Sequence, residues 1–151
     1  TPKFKERAVF LFSKEDQYRP EVQSFHKIVR KFKSKKKKLM ITKESTTKPG
    51  YLSQQYLSLK KRIKEFETFQ VCQYNPHLGL IPIEISDIFP AAHHETSRIN
   101  FDPKEFTEFQ RTWEDFFKKN KFLEIHYDKN DEFLKYFVKT LPREIKKKSF
   151  G

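Results

Sequence analysis

Titratable side chains and rigid turn residues crowd together between Asn75 and Glu95, in the run NPHLGLIPIEISDIFPAAHHE. Three of the chain's five histidines and three of its eight prolines fall there, together with Glu84, Asp87 and Glu95. Loops on a packed scaffold are where catalytic and binding groups concentrate, so chemistry is sought here first. His77, His93, His94 and Glu95 are metal ligands by type. Adjacent residues diverge in direction, however, and neither an HExxH run nor paired cysteines supplies ligand spacing, so no metal and no cofactor is expected. Glu84 is the stronger candidate. Between Ile83 and Ile85 its carboxyl would be partly desolvated, which raises a pKa and suits general acid–base work. Asp87 offers a second carboxyl. The competing reading of both is a helix cap or a lysine partner.

Outside that run the residues point to binding. Cys72 sits on a predicted strand without a neighbouring base, which reads as a small buried side chain rather than a nucleophile. Thr42, Ser45, Thr46, Thr47 and Lys48 can hold a phosphate, but the GxxxxGK[ST] pattern of a nucleotide-hydrolysing loop is absent. The basic clusters at 27–38, 60–64 and 143–148 form the most credible binding surface. Its nucleic-acid contacts are expected at Lys31, Lys33, Lys35, Lys36, Lys37, Lys38, Lys60, Lys61 and Arg62. Tyr18, Tyr51 and Tyr56 lie near these clusters and can stack on bases, although any one tyrosine is more often core than platform.

The composition agrees with an anionic partner. Thirty-two Lys and Arg against 20 Asp and Glu leave a formal charge of +12, which favours nucleic acid or another anionic surface. A lysine-rich surface also arises through genome composition or heat adaptation. At 151 residues the chain is long enough for one domain with a real core, and 17 Phe supply bulk for it. The single cysteine excludes an internal disulfide framework and fits a reducing, cytoplasmic setting. No apolar run approaches the roughly 20 residues that span a bilayer, so no membrane partner is expected.

The elements that would position these groups follow from periodicity. Pro20 and Glu21 open a helix whose apolar face is Val22, Phe25, Val29 and Phe32. Leu39-Met40-Ile41 reads as a buried strand. Leu52, Tyr56, Leu59, Ile63 and Phe66 mark a second helix, and Phe69–Tyr74 alternates like a strand. Pro82 assigns the apolar run 80–85 to a sheet edge or a bulge. Asp102, Pro103 and Glu105, with Phe101 and Phe106 as a staple, open a third helix that buries Phe109, Trp113, Phe116 and Phe117. A strand over 122–127 and a helix through Phe133, Phe137, Val138 and Leu141 complete the series. Strands alternating with helices imply parallel βαβ units in a three-layer αβα fold, with ligand loops at the carboxyl ends of the strands. Loops 42–50 and 75–95 both follow strands and are therefore expected on one rim.

Three stretches carry a family resemblance: Arg19-Pro20-Glu21-Val22, the loop through Lys48-Pro49, and above all Leu78-Gly79-Leu80-Ile81-Pro82-Ile83-Glu84 with Phe89-Pro90-Ala91-Ala92-His93. Together they resemble the central domain of archaeosine synthase, the archaeal tRNA-modifying relative of tRNA-guanine transglycosylase. The resemblance spans about residues 18–142, leaving an N-terminal extension over 1–17 and a basic, frayed tail over 143–151. It implies a uracil-DNA-glycosylase-like α/β fold, a tRNA substrate and a reaction at the 7-cyano group of a deazaguanine with an amine donor such as lysine. The signature loops of the glycosylases themselves are absent, which argues against DNA repair.

The family's signature loop reads Pro-Cys, three residues, Lys-Pro-Tyr, two residues, Ser, two residues, His. Here Lys48, Pro49 and Ser53 match, while Lys43, Glu44, Gly50 and Tyr56 stand where the family has Pro, Cys, Tyr and His. Loss of the Cys and His removes the obvious covalent and proton-transfer groups. The resemblance thus implies a tRNA-binding or accessory domain working with another chain of the archaeosine pathway. Its alternative is an active transferase using Lys48, Ser53, Glu84 and His93.

Overall fold

A computed structural model of the chain describes residues 9–45, 48–96 and 100–150. Thr46 and Thr47, two of the phosphate-binding candidates, lie outside them, as do residues 1–8. Along the chain run β1 (Val9–Leu11), α1 (Pro20–Lys31), β2 (Lys38–Lys43), α2 (Gln54–Arg62), β3 (Phe69–Asn75) and β4 (Gly79–Pro82). After them come β5 (His94–Thr96), α3 (Thr107–Lys119), β6 (Glu124–Asp128), α4 (Glu132–Val138) and β7 (Lys146–Phe150).

The fold is α/β. Its main sheet has the order β4-β3-β2-β6-β7, with β2, β3, β6 and β7 mutually parallel and β4 antiparallel at one edge. A separate parallel pair joins β1 to β5, with Val9 opposite His94. Apolar side chains cover both faces. On one, α1, α3 and α4 contribute Phe25, Phe109, Trp113 and Phe137 to a large cluster with Leu39, Ile41 and Tyr74. On the other, Leu59 of α2 packs with Phe66, Phe69 and Val71. The helices therefore lie on two sides of the sheet, as expected of βαβ units.

Pro20 begins α1 and Val22, Phe25 and Val29 are buried along it, as the spacing predicts. Pro82 ends the edge strand β4, where its missing N–H costs no ladder bond. β3 differs from its alternating pattern. All seven of its residues are buried because helices cover both faces of this inner strand. Its polar positions are satisfied individually, Gln70 by Glu84 and Gln73 by Ser53.

The second and third helices are shorter than their periodicity. Glu65 adopts a left-handed conformation with φ 59°, so α2 stops before Phe66, which belongs to a separate 3-10 turn. Asp102 and Pro103 open a 3-10 turn, and α3 proper starts at Thr107. The staple does form, with the Phe101 and Phe106 rings 5.0 Å apart.

Both proposed ends are parts of the domain. Val9 and Leu11 are buried in the core, so the described residues of 1–17 are not an extension. Residues 146–150 are not a frayed tail but the edge strand β7, paired residue by residue with β6.

The hairpin between β3 and β4 turns on a single glycine. Gly79 has φ +89°, and a Cβ there would lie 2.7 Å from Oγ1 of Thr112. Strained backbone and a hydroxyl in the way both oppose a side chain. Gly79→Ala is expected to lower unfolding free energy by about 1–3 kcal/mol in urea titrations, with a larger loss than Gly→Ala at an unstrained turn.

Candidate functional site at the carboxyl rim

Parallel strands gather their carboxyl ends on one rim, where open α/β sheets bind ligands beside the strand at which the order reverses. Here that strand is β2, flanked by β3 on one side and β6 on the other. Outside these ends opens a crevice of about 450 Å³. Tyr74, Phe101 and Phe133 supply apolar lining, and Lys43, Asp128 and Asn130 supply polar groups. Three of these are placed by the strands themselves: Lys43 ends β2, Tyr74 is the penultimate residue of β3, and Asp128 ends β6. Tyr74 is held by burial and by donating its hydroxyl to Asp131. Burial first, then the charge of Asp131, push its phenol far above the ordinary value, so it serves as a neutral donor.

One residue beyond β2, Glu44 turns inward. Its Oε1 lies 2.8 Å from Nε2 of His94 and accepts a bond from Nδ2 of Asn75 at 2.9 Å. His94 is inaccessible and Glu44 nearly so, with side-chain exposures of 0% and 9%. Nδ1 of His94 lies 2.8 Å from the carbonyl oxygen of Pro90. A carbonyl only accepts, so Nδ1 is the donor to Pro90, and Nε2 faces the Glu44 carboxyl. The backbone N–H of Glu44 also donates to the carbonyl of Tyr74. This buried imidazole–carboxyl pair joins the end of β2 to the Pro90–His94 turn.

The sequence-derived candidates are dispersed. Glu84 lies at the other end of the sheet: β4 runs antiparallel to β3, and its carboxylate accepts from Gln70 at 2.8 Å beside the start of β3. The single-rim expectation therefore holds for residues 42–45, 75–79 and 90–95 but fails for 82–85. Glu84 reaches none of the crevice groups. Its charge acts on Tyr56 and Cys72, both of which burial already pushes up. Cys72 is wholly buried, as expected.

Ser53 is also fully buried and is the cap of α2, accepting from the N–H of Tyr56 at 3.1 Å and from Gln73 at 3.4 Å. A cap with no access to solvent makes a poor nucleophile. Lys48 precedes the cis Pro49 on the rim loop. His93 is half-buried beside the Phe89 ring. Among the described residues no three His, Cys, Asp or Glu side chains are grouped to hold a metal ion, and no helix is long and apolar enough to cross a membrane. Sequence reasoning met His94 only as a metal ligand by type and Glu44 only as a replacement on the signature loop, and did not pair them. The available signal was Glu44 itself, a carboxylate at the signature position just beyond a buried strand.

Two further histidines are structural. His26 and His77 each place Nε2 within 2.8 Å of a carbonyl, of His77 and Ser13 respectively, while Nδ1 of each is buried without a hydrogen-bond partner. Burial holds both imidazoles below the ordinary histidine value of 6.5. The folded chain stays neutral there while the unfolded chain takes up protons, so stability is full above about pH 6.5 and falls as pH drops below it. The urea midpoint is expected to decrease between pH 7 and pH 5, and His26→Gln should flatten that dependence.

The nucleic-acid candidates are exposed except Lys38, which is half-buried. Lys33, Lys35, Lys36 and Lys37 lie on the connector into β2, and Lys60, Lys61 and Arg62 form the last turn of α2. Lys31 ends α1, and Lys38 lies over the ring of Phe69. Tyr56 packs edge-on against Phe66 and is core rather than platform; Tyr18 and Tyr51 remain exposed.

No family model matches the chain, and no match is found among curated proteins or solved structures.

Proposed function

We propose that the chain is a tRNA-binding, archaeosine-synthase-like domain that serves tRNA modification in the cytoplasm as an accessory to another chain of the 7-deazaguanine pathway. The observation that carries this reading is the meeting of two stretches that separately resemble that family. Residues 43–56 and 75–95 are closed upon each other through Glu44, Asn75 and His94. Covalent chemistry is not supported on the signature loop, since Glu44 occupies the cysteine position and Ser53 is a buried cap. The doubly covered parallel sheet agrees with a uracil-DNA-glycosylase-like arrangement. The charge of +12 supports an RNA partner. Binding to a tRNA transcript is expected to exceed binding to a scrambled duplex of equal length and to fall steeply with salt. Equal affinity for both RNAs would remove the reading.

The Glu44–His94 pair favours a second reading, an active transferase on cyano-modified tRNA. It would use this pair rather than the Glu84 and Ser53 of the sequence expectation. Incubation with cyano-modified tRNA and lysine, followed by nucleoside mass spectrometry, tests it. A mass gain that Glu44→Gln abolishes is the outcome expected of an enzyme; no mass gain leaves the accessory role.

A further inference from the structure

Charge is segregated along the strand axis. Each helix returns toward the amino-terminal rim of the main sheet, and three end in a cationic turn: Arg30 and Lys31, then Lys60 to Arg62, then Lys118 and Lys119. Cations in a last turn complement the helix dipole, which accounts for some of them without any ligand. It does not account for the connectors. Lys33, Lys35, Lys36 and Lys37 precede β2, and Lys121 precedes β6; all are exposed. Among the described residues none of these five makes an ion pair. Acids on this rim are few or engaged: Asp115 pairs with Arg30, Glu124 with His126 and Lys148, and Glu84 accepts from Gln70. Glu65 and Glu67 lie within the α2–β3 connection and are exposed. The carboxyl rim is more acidic, with Asp128, Asp131 and Glu132 beside Lys43 around the crevice.

The lysine connector is also built rather than loose. Asn120, 3% exposed, accepts from the N–H of Ser34 at 2.7 Å and donates to the carbonyl of Phe32 at 3.1 Å. Ser34 bonds Gln70, itself 2% exposed, at 2.8 Å. The carbonyl of Lys37 accepts from Leu123, whose own carbonyl accepts from Lys146. Buried amides thus pin the loop to α3 and β3, and backbone bonds run from it across β6 to β7. Holding like charges together on a fixed loop costs repulsion, which an array of phosphates offsets. Because β2 is the middle strand, the loop sits at the centre of this rim.

We propose that an RNA phosphate backbone docks along the amino-terminal rim, at the end of the sheet opposite the crevice, with the pinned loop 33–37 at its centre. This rests on the tRNA reading only for the identity of the RNA. The surface is defined by phosphates, so it binds the backbone whichever RNA supplies it.

The test is a triple variant, Lys35→Gln, Lys36→Gln and Lys37→Gln, beside a carboxyl-rim control, Lys104→Gln with Lys129→Gln. All five side chains are exposed, and circular dichroism checks folding. The slope of log affinity against log salt for a tRNA transcript is expected to fall by about 2–3 in the triple variant and to stay unchanged in the control. A wild-type slope in the triple variant, or a reduced slope in the control, overturns the proposal. Binding to anionic lipid vesicles but to no RNA overturns it too and assigns the rim to a membrane surface. If tRNA and scrambled duplex bind equally while the triple variant weakens both, the rim stands and the tRNA reading falls.

Discussion

Glu44→Ala should cost about 3–5 kcal/mol of unfolding free energy, because it strands a hydrogen-bonding histidine in a place water cannot reach. His94 has no side-chain exposure, and Glu44 Oε1 is the acceptor that both it and Asn75 share. Removing that carboxylate leaves two buried donors without their acceptor, each a desolvation penalty rather than merely a lost contact. The pair also closes the end of β2 onto the turn after Pro90, so its loss should loosen residues 90–95 before the rest of the sheet. Urea titration of Glu44→Ala, His94→Ala and the double variant reads the coupling directly. The two single losses should sum to more than the double loss by at least about 1 kcal/mol. Additive losses would mean that the two side chains are neighbours without an energetic bond.

Phe109→Ala is expected to be equally costly, about 3–5 kcal/mol, through cavity formation rather than charge. The ring is fully buried and lies 4.6 Å from that of Phe137, 5.1 Å from Phe133, 6.0 Å from Trp113 and 6.1 Å from Tyr74, centroid to centroid. It joins α3, α4 and β3 at a single point, so neighbouring rings cannot all collapse into the space. Domains of this size have about 5–15 kcal/mol in all, and the variant should lose a third or more of that. Leu123→Ser, at a residue 66% exposed, should change stability by no more than about 0.5 kcal/mol. A loss below about 1 kcal/mol for Phe109→Ala would contradict the packing described.

These variants also show which parts of the molecule can be read from its residues. Phe109, Trp113 and Phe116 recur with helical spacing, and burial follows that spacing because local periodicity and core direction coincide. The order of strands and helices is legible for the same reason. Long-range pairing is not. β1 pairs with residues more than 80 positions away, and three residues are too few for a pattern. β7 reads as a charged tail because an exposed edge strand carries lysines that discourage further pairing, and only its partner β6 reveals it.

The site was half legible for a comparable reason. The rim position of the 43–45 and 75–79 loops follows from strand direction. The displacement of Glu84 follows from the hairpin at Gly79, which reverses the chain and carries the apolar IPIE run back to the opposite rim. Between His93 and His94 the sequence offers no choice, since neighbours face opposite ways and only the pairing of β5 with β1 decides which is buried. Glu44 gains its meaning solely from His94 and Asn75, 50 and 31 positions away.

The central claim is that this chain works on tRNA, and sequencing the RNA that copurifies with it tests that claim most directly. tRNA should be enriched well above its share of total cellular RNA, and the enrichment should vanish on washing at high salt. Recovery of ribosomal and messenger fragments in proportion to their abundance, with no excess of tRNA, would contradict it.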